Sequence, residues 1–114
     1  MPFIDLKTTA AISADKEAKL RSAFGQDIAC LPGKSERWLM LNFSDHCRMA
    51  FRGEPSPDLA MLSVEIFGHA EAKDYAALTA ALTKSVSDTL GVAPDRVYIR
   101  YGENDVWGYD GENF

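Results

Sequence analysis

The residues with chemistry to offer begin at the second position. Pro2 directly follows the initiator methionine. It is small enough to permit trimming, which would leave a terminal secondary amine. An α-amino group ionises only about a unit above neutrality, and burial or a nearby cation lowers that value by penalising the ammonium form. A base works best with its pKa near the operating pH, so a trimmed Pro2 in a shielded setting is a candidate for taking and returning protons. Few other groups compete with it. Cys30 and Cys47 lie in apolar stretches without paired spacing, which reads as reduced thiols, with Cys30 a small hydrophobe on the packing side of a helix. His46, Cys47 and His69 are too scattered for metal-ligand spacing, so neither a metal nor another cofactor is expected.

The elements that must position Pro2 follow from periodicity. Phe3 to Lys7 alternates as a strand, with Ile4 and Leu6 on one face and Phe3, Asp5 and Lys7 on the other. Ser13 is a suitable N-cap, Asp15 and Glu17 suit a first helical turn, and Leu20, Phe24, Ile28 and Leu31 recur at helical spacing until Pro32-Gly33 ends the helix. Trp38 to Phe43 reads as a strand, with Trp38, Met40 and Asn42 on one face. Ser44 to Cys47 reads as a turn, and Arg48 to Phe51 as a short returning strand. After a Gly- and Pro-marked loop over 52–58, Leu59 to Phe67 is a long strand. Tyr75, Leu78, Leu82, Val86 and Leu90 then stripe a helix closed by Gly91, and Val97 to Tyr101 is the next strand. The tail from Asp105 to Phe114 reads as a short hairpin or arm.

That order is strand, helix, strand, twice over, within one domain spanning 1–114 whose halves run about 1–53 and 57–114. Ser35-Glu36-Arg37-Trp38 and Pro94-Asp95-Arg96-Val97 occupy equivalent places in the halves. Two βαβ units predict parallel pairing within each half, right-handed crossovers and both helices on one face of a four-stranded mixed sheet, an α+β (α/β) class. The other face would carry Asp5, Lys7, Trp38, Met40, Asn42, Glu65, Phe67, Tyr98 and Arg100. Sheets of this kind are seldom left bare on one side, so self-association through that face and the sheet edges is expected. A net charge of −5 without a Lys/Arg run argues against nucleic acid and anionic membrane as partners. No signal-peptide pattern or membrane-length apolar stretch is present, so a cytoplasmic setting is expected, with leaderless secretion open.

The Met1-Pro2-Phe3-Ile4 start, Pro32-Gly33-Lys34, Met49-Ala50-Phe51, Pro94-Asp95-Arg96-Val97-Tyr98-Ile99 and the closing Gly108-Tyr109-Asp110-Gly111 with Phe114 together resemble the macrophage migration inhibitory factor family of the tautomerase superfamily, over essentially the whole chain. The resemblance implies a homotrimer whose sheets form a central barrel, with active sites between subunits. It makes Pro2 the catalytic base and Lys34 the partner of a substrate carboxylate or carbonyl oxygen. Phe67 stands where the family has an isoleucine whose backbone contacts ligand. Tyr98 corresponds to a pocket tyrosine from the neighbouring subunit, and Phe3, Trp38, Trp107, Tyr109 and Phe114 to wall positions. Arg100 replaces the usual asparagine beside the pocket, and Phe67 and Trp107 are bulkier than the common aliphatic residues. Leu59 and Leu62 stand where the vertebrate relatives carry a Cys-x-x-Cys pair, which removes the case for thiol redox chemistry.

The chemistry so implied is keto–enol conversion of a small α-keto or enol acid of the phenylpyruvate or dopachrome kind. Pro2 would carry the proton while Lys34 and Arg100 hold carboxylate and enolate oxygens. Plainer roles stand beside these. Lys34 fits an exposed lysine after a helix C-terminus, Arg100 an inter-subunit ion pair with Asp5 or Glu65, Tyr98 interface filling, and Trp38, Trp107, Tyr109 and Phe114 packing. Two other function classes are also open. One is a trimeric, cytokine-like binding protein whose outer surface meets an unidentified receptor; the other is a Pro2-based hydration, decarboxylation or dehalogenation.

Overall fold

The computed structural model describes all 114 residues. Strand β1 (Pro2–Thr8) is followed by helix α1 (Ala14–Asp27) and strand β2 (Met40–Ser44). Strand β3 (Ala60–Phe67), helix α2 (Ala72–Leu90) and strand β4 (Val97–Asn104) repeat that order, and a hairpin of β5 (Gly108–Tyr109) and β6 (Glu112–Asn113) closes the chain. The main sheet runs β2-β1-β3-β4. Pairing is parallel within each half (β1 with β2, β3 with β4) and antiparallel between the halves, where Pro2 faces Ile66 and Leu6 faces Leu62. The fold is therefore the mixed four-stranded α+β arrangement that the doubled pattern predicts, with β1 and β3 central.

Alternation decides the two faces. Ile4, Leu6, Leu62, Val64 and Ile66 are buried beneath the helices, and they meet Leu20, Phe24 and Ile28 from the first half and Leu78, Leu82, Val86 and Leu90 from the second. Burying each large apolar side chain contributes roughly 1.5–3 kcal/mol, so this layer holds the two halves together. Thr8 is the one buried polar residue; its hydroxyl donates to the Leu59 carbonyl (2.6 Å) and accepts from the Ala10 N–H (3.1 Å), which satisfies it. The opposite face carries Asp5, which accepts from Asn42 and Lys7, and Arg100, which donates to Ser63. Met40 and Tyr98 on that face are exposed.

Two helix ends follow the sequence signals. Ser13 Oγ accepts from the Lys16 N–H, and Gly91, at φ 74°, supplies the left-handed residue that closes α2. Four expectations need correction. The α-helix stops at Asp27 and tightens into a 3-10 turn over Ile28–Cys30, so Leu31 packs in the core from an extended residue, not from the helix. Trp38 does not open β2: Glu36–Trp38 coils as a 3-10 turn, with the Trp38 N–H on the Ser35 carbonyl and the Leu39 N–H on the Glu36 carbonyl, so Trp38 leaves the sheet face. Arg48 to Phe51 is no strand, since its backbone finds only the tight Phe51–Glu54 bridge. β4 runs on past Tyr101 because β3 keeps pairing with it as far as Phe67 opposite Asn104. The echo of the halves is also one residue out of phase, because the 3-10 turn Glu36–Trp38 answers Pro94–Arg96. No helix is long and apolar enough to cross a membrane.

Candidate active site

Because β1 begins at Pro2, the first peptide of the chain lies at the end of a central strand. The Phe67 N–H donates to the Met1 carbonyl (3.1 Å), and Lys34 Nζ donates to the Phe67 carbonyl (2.7 Å). Lys34 reaches that position from the turn at Leu31 to Gly33. Gly33 takes φ 80°, and the Lys34 N–H returns to the Leu31 carbonyl. The backbone of Phe67 is thus the node at which the chain terminus and the Lys34 cation converge. Burial first, and the Lys34 ammonium after it, lower the pKa of the terminal amine at Met1. With Met1 attached, the Pro2 nitrogen is an amide; removing Met1 turns it into an amine.

The terminus opens into a cleft of about 1250 Å³ lined by Pro2, Phe3, Trp38, Trp107 and Tyr109, together with Leu39, Val106 and Asn104. Rings connect the node to the mouth. Phe67 lies 6.3 Å from Phe114, Phe114 is stacked 6.4 Å from Tyr109, and Tyr109 meets Trp38 edge-on at 5.3 Å. The terminal hairpin holds Tyr109 and Phe114 there through paired backbone hydrogen bonds between Trp107 and Phe114.

Of the residues singled out from sequence, Pro2, Phe3, Trp38, Trp107 and Tyr109 line this cleft; Lys34, Phe67 and Phe114 do not line it but contact one another, Lys34 on the Phe67 carbonyl and Phe114 against the Phe67 ring. Tyr98 and Arg100 do not join them within one protomer. Tyr98 sits opposite Met61 while Pro2 sits opposite Ile66, five strand residues apart, or roughly 16 Å at ~3.3 Å per residue. Tyr98 packs edge-on against Phe51 instead (5.3 Å), and Arg100 Nε is on Ser63 Oγ (2.9 Å), with no ion pair to Asp5 or Glu65 of its own protomer. The Arg100 charge is still felt. Burial raises the Asp5 pKa, but hydrogen bonds from Lys7 and Asn42 and the charges of Lys7 and Arg100 outweigh it and hold Asp5 low.

Sequence reasoning passed over Asn104 and Arg37 and read Glu65 only as a sheet-face residue and a partner for Arg100; all three line the cleft. Asn104 Nδ2 donates to the Ile66 carbonyl (3.0 Å), pinning the strand end beside Pro2. Reading β4 three residues further would have placed it there. Glu65 lies over Gly102, where a Cβ would overlap its carboxylate. Arg37 adjoins Trp38, and an arginine beside an aromatic residue in a turn is a usable signal. No group of three His, Cys, Asp or Glu side chains is arranged to hold a metal ion.

Residues 1–112 match the macrophage migration inhibitory factor family. Among solved structures, the chain is similar to MIF2 of Leishmania major, at 26% identity and a TM-score of 0.93 over 100% of this chain and 97% of that one. It is also similar to the macrophage migration inhibitory factor homologue of Prochlorococcus marinus, at 22% identity and a TM-score of 0.85 over 98% of each chain. A third similar structure is of a protein inactivated by 2-oxo-3-pentynoate, at 19% identity and a TM-score of 0.81 over 96% of this chain and 93% of that one. Comparison with curated proteins gives no match.

Proposed function

The chain belongs to the macrophage migration inhibitory factor family, and from that membership we propose a cofactor-independent keto–enol tautomerase of phenylpyruvate- or dopachrome-like acids that uses the nitrogen of a methionine-trimmed Pro2 as general base. The observation carrying this reading is the convergence on Phe67: a terminal amine already lowered by burial and by Lys34 opens into a ring-lined cleft. After trimming, the Pro2 amine would meet the same burial and the same Lys34 charge, both of which disfavour its ammonium form and favour acceptance of a carbon-bound proton. Lys34 keeps two N–H groups beyond its bond to Phe67, and they can hold the carboxylate or the oxygen that gains charge as the enol forms. Trp38, Trp107 and Tyr109 would stack on the substrate ring. That a protein of the same fold is inactivated by a 2-oxo acid supports an α-keto acid as the substrate class. In this reading Tyr98 and Arg100 enter the site from a neighbouring copy, and the working unit is a homotrimer.

Intact mass first establishes that Met1 is gone. Enol–keto conversion of phenylpyruvate is then followed by absorbance for the trimmed protein and for Pro2→Gly. Loss of general-base catalysis should lower kcat/KM by roughly 10²-fold or more, with the fold intact by circular dichroism. Equal turnover by Pro2→Gly removes proline from the mechanism. No turnover by the trimmed parent leaves the cytokine-like binding protein as the reading.

A further inference from the structure

Two 3-10 turns occupy equivalent places in the halves, and each carries an arginine beside an aromatic ring. Arg96, in Pro94–Arg96, sits 5.5 Å from the Phe51 centroid and donates through Nε to the Pro57 and Asp58 carbonyls (3.2 and 3.3 Å). It ties β4 to the loop before β3, a structural task. Arg37, in Glu36–Trp38, lies over the Trp38 ring at 5.2 Å. It has no hydrogen-bonded carbonyl and no ion-pair partner, and it lines the cleft with Pro2, Trp38 and Tyr109.

The other charges lining the cleft do not neutralise it. Arg21 is paired with Glu17 (3.7 Å). The Glu36 carboxylate is folded over Gly25 of α1, where a Cβ would overlap it, and Glu65 lies over Gly102 at the sheet. Arg37 is therefore an unpaired guanidinium placed over an aromatic ring, with its donors free for the two oxygens of a carboxylate. Lys34 stands three residues earlier, engaged with the Phe67 node beside the terminus.

We propose that Arg37 binds a second carboxylate, so that the cleft is built for α-keto acids carrying an acid group at the end remote from the reacting carbon. This rests on the tautomerase reading above and names the substrate class within it. Lys34 holds the oxygens near the proton-transfer centre, Trp38 and Tyr109, in edge-on contact with each other, wall one side of the substrate body, and Arg37 fixes its far end. Phenylpyruvate fills the inner two parts and leaves Arg37 unused.

The test compares phenylpyruvate with 4-carboxyphenylpyruvate on trimmed protein whose mass confirms loss of Met1. The parent should show a KM about fivefold lower for the dicarboxylate, the size of a partly exposed charge pair near 1 kcal/mol. Arg37→Gln should bring the ratio of the two KM values to about one, and Arg37→Lys should restore part of it. A parent ratio of one, or a ratio unchanged in Arg37→Gln, overturns the proposal. The same comparison is made by calorimetry with the unreactive pair cinnamate and 4-carboxycinnamate. If neither keto acid turns over, the tautomerase reading fails while the ratio of Kd values still decides the role of Arg37.

Discussion

Lys34 shows how one side chain can do two things at the terminus. Its ammonium is bonded to the Phe67 carbonyl, and after burial it is the next cause lowering the terminal amine. Burial alone would be felt by any base at this place; the Lys34 share is specific and removable. In Lys34→Ala the amine pKa should rise, because the protonated form no longer meets a neighbouring positive charge. A base acts only when deprotonated, so the acidic limb of the pH profile of kcat/KM should move to higher pH, and the plateau should fall with the lost oxyanion partner. An acidic limb that stays in place in Lys34→Ala would mean the lysine serves only to fasten Phe67. The distinction was not available from sequence, where Lys34 reads equally well as an exposed residue after Pro32-Gly33. What separates the readings is the Phe67 carbonyl, a backbone atom 33 residues away that carries no side-chain signature.

At the scale of elements, helix α2 shows where local patterning stops short. Its apolar stripe and Gly91 were legible because period and C-cap chemistry act over a few residues. Its N-terminus was not. Glu71 at the N-cap position makes no side-chain capping bond, and Glu103 from β4 fastens the residues on either side of it. That carboxylate accepts from Tyr75 Oη (2.6 Å) and the Ala70 N–H (3.0 Å), and it also meets His69 Nδ1 (3.0 Å). The Tyr75 hydroxyl, then His69, hold Glu103 down at about 2, and Glu103 in turn raises His69. Burial first, and Glu103 next, push Tyr75 up to about 12. A depressed carboxylate stabilises the fold above its unfolded value of 4.5 and loses that effect as pH falls toward 2. A raised histidine stabilises fully below its unfolded value of 6.5 and loses that as pH rises through its folded value. Both contributions coincide between about pH 4.5 and 6.5, so Glu103→Gln should lower the urea midpoint more at pH 5.5 than at pH 3 or pH 8.5. A loss that is the same at all three pH values would show that the clamp works by shape alone. Trp38 fails from sequence for a similar reason. The alternation that ran it into β2 is broken by a 3-10 turn, and its ring docks on Tyr109 from the far end of the chain.

The whole molecule raises the question of what completes the site. One protomer brings Pro2, Lys34 and the ring wall together but leaves Tyr98 and Arg100 on the bare sheet face, roughly 16 Å and roughly 10 Å along the strands. Tyr98 cannot span its distance and Arg100 is engaged with Ser63, so either those residues have nothing to do with the cleft or a second copy delivers them. The same face exposes Met40 and Tyr98 on a mixed sheet whose other side is covered by both helices, and such faces are ordinarily covered. A closed ring of three satisfies both demands if each subunit presents its Tyr98 to the next subunit's Pro2. Subunit mixing tests this directly. Pro2→Gly and Tyr98→Ala proteins should each be weak catalysts, but unfolding and refolding them together should create sites that take an intact Pro2 from one chain and an intact Tyr98 from another. Random closure of a cyclic trimer from equal parts gives such sites about a quarter of the time, so roughly a quarter of the parent rate should return. A mixture no more active than its components, from protein that sediments as a trimer, would place Tyr98 outside the catalytic cleft. It would leave the sheet face as a contact between copies with no share in the chemistry.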